Sequence, residues 1–171
     1  MGTETALANY IDYILSGLKE KKYTISIFMD LSKAFDVLNH DILKSKLEHY
    51  GFRNNFLNFL MDFVVNREYF VSANNHTSHK RTVNIGVPQG STLGPLLFLI
   101  YINDMIHCSD ILKFSLFADD STASHSDSDL NTTLNTLKEE FTKVLDWLLA
   151  NKLIINLQKT HLQSAPLKVT V

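Results

Sequence analysis

A single cysteine, Cys108, is all the thiol chemistry this 171-residue chain carries. It cannot form an intrachain disulfide, which excludes a disulfide-stapled secreted scaffold and points to an intracellular compartment. Nuclear and cytoplasmic placement both stay open. Long apolar runs are also missing. The longest, Leu96–Ile102, is far short of the roughly 20 residues a membrane-spanning helix needs. No signal-peptide pattern, internal repeat or low-complexity linker appears. Nor is there an excess of positive charge. Sixteen Lys and Arg face 18 Asp and Glu, a net −2, which argues against wholesale electrostatic binding of nucleic acid. The seven histidines show no zinc-ligand spacing.

What is present suits one domain with a real core: 45% of residues are hydrophobic and 20% charged. Charge is uneven along the chain. Residues 117–130 carry four acids and no Lys or Arg, whereas 147–171 carry Lys152, Lys159 and Lys168 and no acid. Such a chain can hold cations in one place and phosphates in another.

Periodicity gives the elements. Leu7, Tyr10, Ile11, Ile14, Leu15 and Leu18 recur at helical spacing over 4–20. In 24–31 the period becomes two, with Ile25, Ile27, Met29 and Leu31 on one face and Thr24, Ser26, Phe28 and Asp30 on the other. Residues 41–50 read as a helix stopping at Gly51, and 55–65 as another. Residues 67–73 and 80–86 read as a hairpin around "NNHTSHK". Ser91 or Thr92 caps an apolar helix with Pro95 in its first turn, continuing over 96–106. Residues 112–118 alternate again, with Lys113, Ser115, Phe117 and Asp119 on the more polar face. The clearest helix, 129–149, carries Leu130, Leu134, Leu137, Phe141, Val144, Leu145 and Leu148 on one stripe, and short strands follow at 153–156 and 161–165. This order predicts an α/β (α+β) sandwich: an antiparallel sheet of split βαβ type, helices packed on one face and the acid-bearing face open.

Both alternating strands put an acid at the C-terminal end of their polar face. If they are neighbours, Asp30, Asp119 and Asp120 converge. Unpaired, such carboxylates repel; together they suit hard divalent cations such as Mg²⁺. Two such ions can activate an attacking hydroxyl and stabilise a leaving pyrophosphate. A double Asp is also ordinary turn chemistry, so "FADD" alone does not decide. His40, beside Asp41, is read as part of a helix N-terminus capped by Asn39 or Asp41.

The order of several motifs decides more. "FMDLSKAFD" (28–36), "GVPQGSTLGPLLF" (86–98) and "FADD" (117–120) resemble the three central motifs of reverse transcriptases, most closely those of non-LTR retrotransposons. "WLLANKLIINLQKT" (147–160) is similar to the fourth. The resemblance runs from about Thr5 to about Gln163. It implies a palm with a small part of the fingers, in one partial domain over 1–171. It also implies an RNA-directed DNA polymerase using two Mg²⁺ (or Mn²⁺) ions, an RNA template, a DNA primer and deoxynucleoside triphosphates.

By the same resemblance, Asp30 and Asp119 ligate the metals, the Leu31 carbonyl assists, and Asp120 is the second acid of the pair. Phe35 lies under the incoming sugar and excludes a ribose 2′-hydroxyl, although a core aromatic is the plain reading of a Phe. Gln89 and Gly90 line the nucleotide pocket, and Lys159 lies near the triphosphate. The family's basic fingers residues are expected upstream and its thumb downstream, so the 171-residue chain is expected to hold primer–template weakly. Two other readings stand beside the polymerase. One is an inactive palm remnant binding nucleic acid or a protein; the other is an RNA-templated RNA polymerase, which sugar selectivity would separate. One departure is visible: the family has apolar residues after the paired acids, where this chain has "STASHSDSD" (121–129).

Overall fold

The computed structural model describes residues 3–65, 67–117 and 120–165. In chain order the elements are α1 (Thr3–Lys19), β1 (Tyr23–Asp30), α2 (His40–His49), α3 (Asn54–Val64), β2 (Arg67–Tyr69), β3 (Ser72–Ala73), β4 (His76–Thr77), β5 (Arg81–Val83), α4 (Leu93–Ile102), a 3-10 turn (Asn103–His107), β6 (Lys113–Phe117), β7 (Asp120–Asp127), α5 (Leu130–Ala150) and β8 (His161–Ala165). They divide into two compact units, one of residues 1–32 with 104–171 and one of residues 33–103. Among the described residues, no helix is long and apolar enough to cross a membrane.

The first unit is built on a four-stranded antiparallel sheet in the order β6-β7-β1-β8. This is the α/β architecture with an antiparallel palm-type sheet that the pattern predicts. The two alternating strands are not direct neighbours: the return strand β7 lies between them. Its polar sequence still forms eight residues of central strand. Hydroxyls replace the missing apolar contacts, with Ser26 Oγ and Ser124 Oγ 2.8 Å apart and Thr24 Oγ1 and Ser126 Oγ 3.1 Å apart across the β1–β7 ladder. Buried hydroxyls that find partners avoid the desolvation penalty of orphaned ones.

The opposite side of the sheet, with Ile25, Met29 and Ala123, forms the apolar core together with Leu137, Val144 and Leu148 of α5. Helix α5 starts at Asp129, whose carboxylate accepts the Thr132 N–H at 2.8 Å. The face bearing Asp30 is not left open as the pattern suggests. Helix α1 lies over part of it: Tyr10 Oη donates to Ser26 Oγ at 3.1 Å, and the Tyr10 ring meets Phe28 edge-on at 5.5 Å. Close approach rests on Gly17, where a Cβ would come within 2.5 Å of Thr24 Oγ1 and 3.0 Å of Ser126 Oγ. Alanine is the better helix former by about 1 kcal/mol, but overpacking costs about 1–3 kcal/mol. Gly17→Ala is therefore expected to lower stability in urea unfolding, and Thr24→Ala added to it to recover part of the loss.

One buried acid belongs to the core and not to the polar sheet face. Glu140 accepts from Lys143 Nζ at 2.7 Å and from Ser109 Oγ at 2.6 Å, and Ser109 Oγ in turn accepts the Leu112 N–H. Lys143 and then Ser109 hold the Glu140 carboxyl below its ordinary range. A depressed carboxylate contributes stability above its unfolded pKa and loses that contribution as pH falls through the folded one. Urea unfolding across acidic pH, from neutral downward, should show this loss, and Glu140→Gln should reduce it. Ser109→Ala should cost about 1–3 kcal/mol at neutral pH, because the buried Leu112 N–H loses its acceptor, while Glu140 Oε2 keeps Lys143 Nζ at 2.8 Å.

The second unit packs α2, α3 and α4 around Leu38, Leu43, Leu47, Leu57, Leu60, Val64, Leu97 and Phe98, all buried. Asn39 caps α2 through Oδ1 to the Asp41 and Ile42 N–H groups. His40 is a buried ring donating from Nε2 to the Gly86 carbonyl at 2.8 Å. Gly51, at φ 91°, ends the same helix. Ser91 serves α4, accepting the Gly94 N–H at 3.0 Å, while Thr92 makes no side-chain cap.

Candidate active site

Register sets the centre of the site. Asp30 ends β1 and Asp120 begins β7, and the two are directly opposed in the antiparallel ladder. Opposed residues point to the same face, so both carboxylates leave the sheet on the side of Phe28 and Thr122. The Asp30 carbonyl accepts the Asn156 N–H at 2.8 Å, and Ser32 N–H donates to the Ile154 carbonyl at 2.8 Å. These bonds extend the pairing past β1 and hold Leu31 opposite Ile155, with Leu31 buried.

The chain then brings Lys159 alongside. Its Nζ lies 3.7 Å from Asp30 Oδ1, with the lysine side chain 68% exposed and the aspartate 21%. His161, two residues on, stacks on Phe28 at 5.3 Å and 10° and bonds from Nδ1 to the Lys159 carbonyl at 3.0 Å. A cavity of about 310 Å³ opens here, lined by Tyr10, Phe28, Asp30, Asp120, Lys159 and His161 among others.

Of the residues expected from sequence, Asp30, Leu31, Asp120 and Lys159 come together at this end of the sheet. Asp119 lies outside the described residues. Phe35, Gln89 and Gly90 belong to the second unit. There the Phe35 ring packs on Phe98 at 5.0 Å, and the Phe35 carbonyl accepts the Val87 N–H at 2.7 Å. Gln89 Nε2 donates to Asp36 Oδ1 at 2.7 Å. Gly90 sits exposed at φ 75°, with open space where a Cβ would be.

Sequence reasoning passed over the residues that join these motifs. Gly86, at φ 78°, lies so close to residues 35 and 36 that a Cβ would come within 2.8 Å of both carbonyls. Asp36 is the partner of Gln89. Both stand inside the quoted motifs, and a glycine opening a motif is the signal for close backbone approach. Tyr10 and His161 join the site only through the fold.

Among the described residues no three His, Cys, Asp or Glu side chains gather as a metal-binding group. The two opposed carboxylates nevertheless fit Mg²⁺, which takes one or two carboxylates and completes its octahedron with water and phosphate oxygens.

Four antiparallel strands in this order, with acids opposed at the adjoining ends of two of them, define the palm class of fold. The chain matches the family described as "Reverse transcriptase (RNA-dependent DNA polymerase)" over residues 5–170, and it belongs to that family, as a reverse transcriptase domain of the non-LTR retrotransposon kind. It is 33% identical over 155 residues to the probable RNA-directed DNA polymerase from transposon BS of Drosophila melanogaster, covering 86% of this chain and 17% of that protein. It is 26% identical over 154 residues to the RNA-directed DNA polymerase from mobile element jockey of the same species, covering 85% and 17%. The chain thus spans about a sixth of the length of these relatives. Among solved structures it resembles the telomerase of Candida albicans, with a TM-score of 0.72 at 16% identity, over 95% of this chain and 30% of that one. At that identity the likeness is one of fold.

Proposed function

We propose that this chain is the palm, with a small part of the fingers, of an RNA-directed DNA polymerase, adding deoxynucleotides to a primer 3′-hydroxyl on an RNA template. The observation that carries the reading is the opposition of Asp30 and Asp120 beside Lys159, at the mouth of a cavity, in a chain of this family. Asp30, with Asp119 by family pattern, would hold two divalent ions, the Leu31 carbonyl assisting and Asp120 adding negative charge. When bound, the metals supply charge neutralisation at the triphosphate and activation of the attacking hydroxyl.

The chain's own residues do the rest. Asp30 is fixed at its backbone by Asn156, so its carboxylate is pre-positioned. Lys159 is exposed enough to reach a phosphate and carries the proton that a leaving pyrophosphate needs. Phe28 and His161, stacked, hold the backbone that presents Lys159. By family pattern Gln89 and Gly90 would border the nucleotide and Phe35 would meet the sugar; within their own unit, Gln89 is held by Asp36.

The test is incorporation of labelled deoxynucleotide on a primed RNA template with Mg²⁺, by a protein carrying this domain. Synthesis that depends on Asp30 and is slowed by Lys159→Ala supports the reading. Synthesis indifferent to both substitutions would contradict it.

A further inference from the structure

A second surface, away from the acids in sequence, has the chemistry of a polynucleotide grip. Residues 67–83 form a hairpin arm in which β2 pairs with β5 and β3 with β4. Every residue from 68 to 82 is exposed. The arm is nonetheless well built. At its root Arg67 donates to the Val64 and Gly86 carbonyls, both at 3.2 Å. Midway, Ser78 ties back to Val71 through both its N–H and its Oγ. At the tip Asn74 and Asn75, at φ 50° and 61°, make the two-residue turn that matches strand twist.

This ordered arm buries no core of its own, yet it displays Tyr69, Phe70 and Val71 at 49%, 54% and 61% exposure. Tyr69 is directly opposed to Arg81, so an aromatic face and a guanidinium stand side by side. Lys80 serves the other face of the ladder, 3.0 Å from Glu68 in a pair open to solvent and therefore weakly held, so each face of the arm displays a cation. From 74 to 79 the tip is entirely Asn, His, Thr and Ser. The unit that carries the arm has seven Lys and Arg against five Asp and Glu, whereas the other unit has nine against thirteen. The chain's net negative charge therefore hides a positive half.

We propose that this hairpin arm binds single-stranded RNA, with Tyr69 and Phe70 stacking on bases, Lys80 and Arg81 contacting phosphates, and the polar tip addressing 2′-hydroxyls. Aromatic faces interleaved with cations are what unpaired strands require, because each base offers a π-face and each linkage a negative charge. The choice of RNA rests on the polymerase reading, but the binding itself needs neither metal nor catalysis.

The test is fluorescence anisotropy of a labelled single-stranded RNA of about 12 nucleotides, long enough to fill a typical single-strand site, with the 171-residue chain in EDTA across a salt series. Tyr69→Ala with Phe70→Ala is expected to weaken binding about 10-fold or more without changing the salt slope. Lys80→Ala with Arg81→Ala is expected to flatten the slope of log affinity against log salt by about 0.7 for each phosphate no longer neutralised. Lys138→Ala, by contrast, removes an exposed lysine of α5 in the other unit and should bind RNA as the parent does; because the assay runs in EDTA, it reads the arm separately from the polymerase site. If the double aromatic variant melts early, Arg81→Glu, which leaves the ladder intact, should still weaken binding. Arm variants that bind like the parent would overturn the proposal, as would equal competition by duplex DNA or single-stranded DNA.

Discussion

Asp30→Asn should silence DNA synthesis while leaving the fold intact. In a polymerising protein that carries this domain, the rate is expected to fall by about 1000-fold or more, the scale seen when a preorganised electrostatic group is removed from a site. Stability should move little and in the other direction. Asp30 faces Asp120 across the ladder, and Lys159, the cation paired with it among the described residues, is 3.7 Å away and largely exposed. An exposed pair of that kind contributes about 0–1 kcal/mol, and relieving carboxylate repulsion offsets it. The backbone bond from Asn156 to the Asp30 carbonyl survives the substitution. Thermal melting of the 171-residue chain without metal should therefore be unchanged or raised by Asp30→Asn. Clear destabilisation, by more than about 1 kcal/mol, would recast Asp30 as a structural acceptor.

Phe35→Val should admit ribonucleotides. Shrinking the ring removes the steric exclusion proposed for the 2′-hydroxyl, and exclusion acts on one sugar only. Pocket changes of this size shift discrimination by about 10- to 200-fold. The substitution also trims the contact with Phe98, which lowers stability. The measured quantity is therefore the ratio of ribonucleotide to deoxynucleotide incorporation, which does not depend on how much protein is folded. An equal loss for both sugars would mark Phe35 as a packing residue of the second unit. A preference for ribonucleotides in the parent would instead favour an RNA polymerase.

The period-2 alternation of 24–30 and 112–117 was enough to orient Asp30, because a strand's faces follow from parity alone. The helices were legible from apolar spacing, but their buried faces were not. On α1 the stripe of Leu7, Ile11 and Leu15 stays 57%, 44% and 46% exposed, while the contact with the sheet is made by Tyr10 and Gly17. A hydroxyl and a missing side chain carry no hydrophobic signal. On α5 the buried face includes Thr133 and Glu140, admitted because each has partners. Strand β7 stood out as a departure from the family's apolar return strand for the same reason: its cross-strand contacts are hydroxyl pairs, which periodicity of hydrophobicity cannot register. Among the candidate residues, the motifs named Asp30 and Lys159 in one unit and Gln89 in the other, but Asp36 and Gly86 act through contacts within the second unit between segments some 50 residues apart, which spacing does not reveal.

Everything proposed for catalysis depends on the end of the sheet at Asp30 and Asp120 being a divalent-metal site. Titrating substoichiometric Mn²⁺ into the ¹⁵N-labelled 171-residue chain and mapping paramagnetic line broadening tests this without any need for activity. A metal site there predicts broadening centred on residues 29–32, 120–122 and 159, reversed by excess Mg²⁺ and abolished by Asp30→Asn. Broadening centred elsewhere, or undiminished in Asp30→Asn, would contradict it.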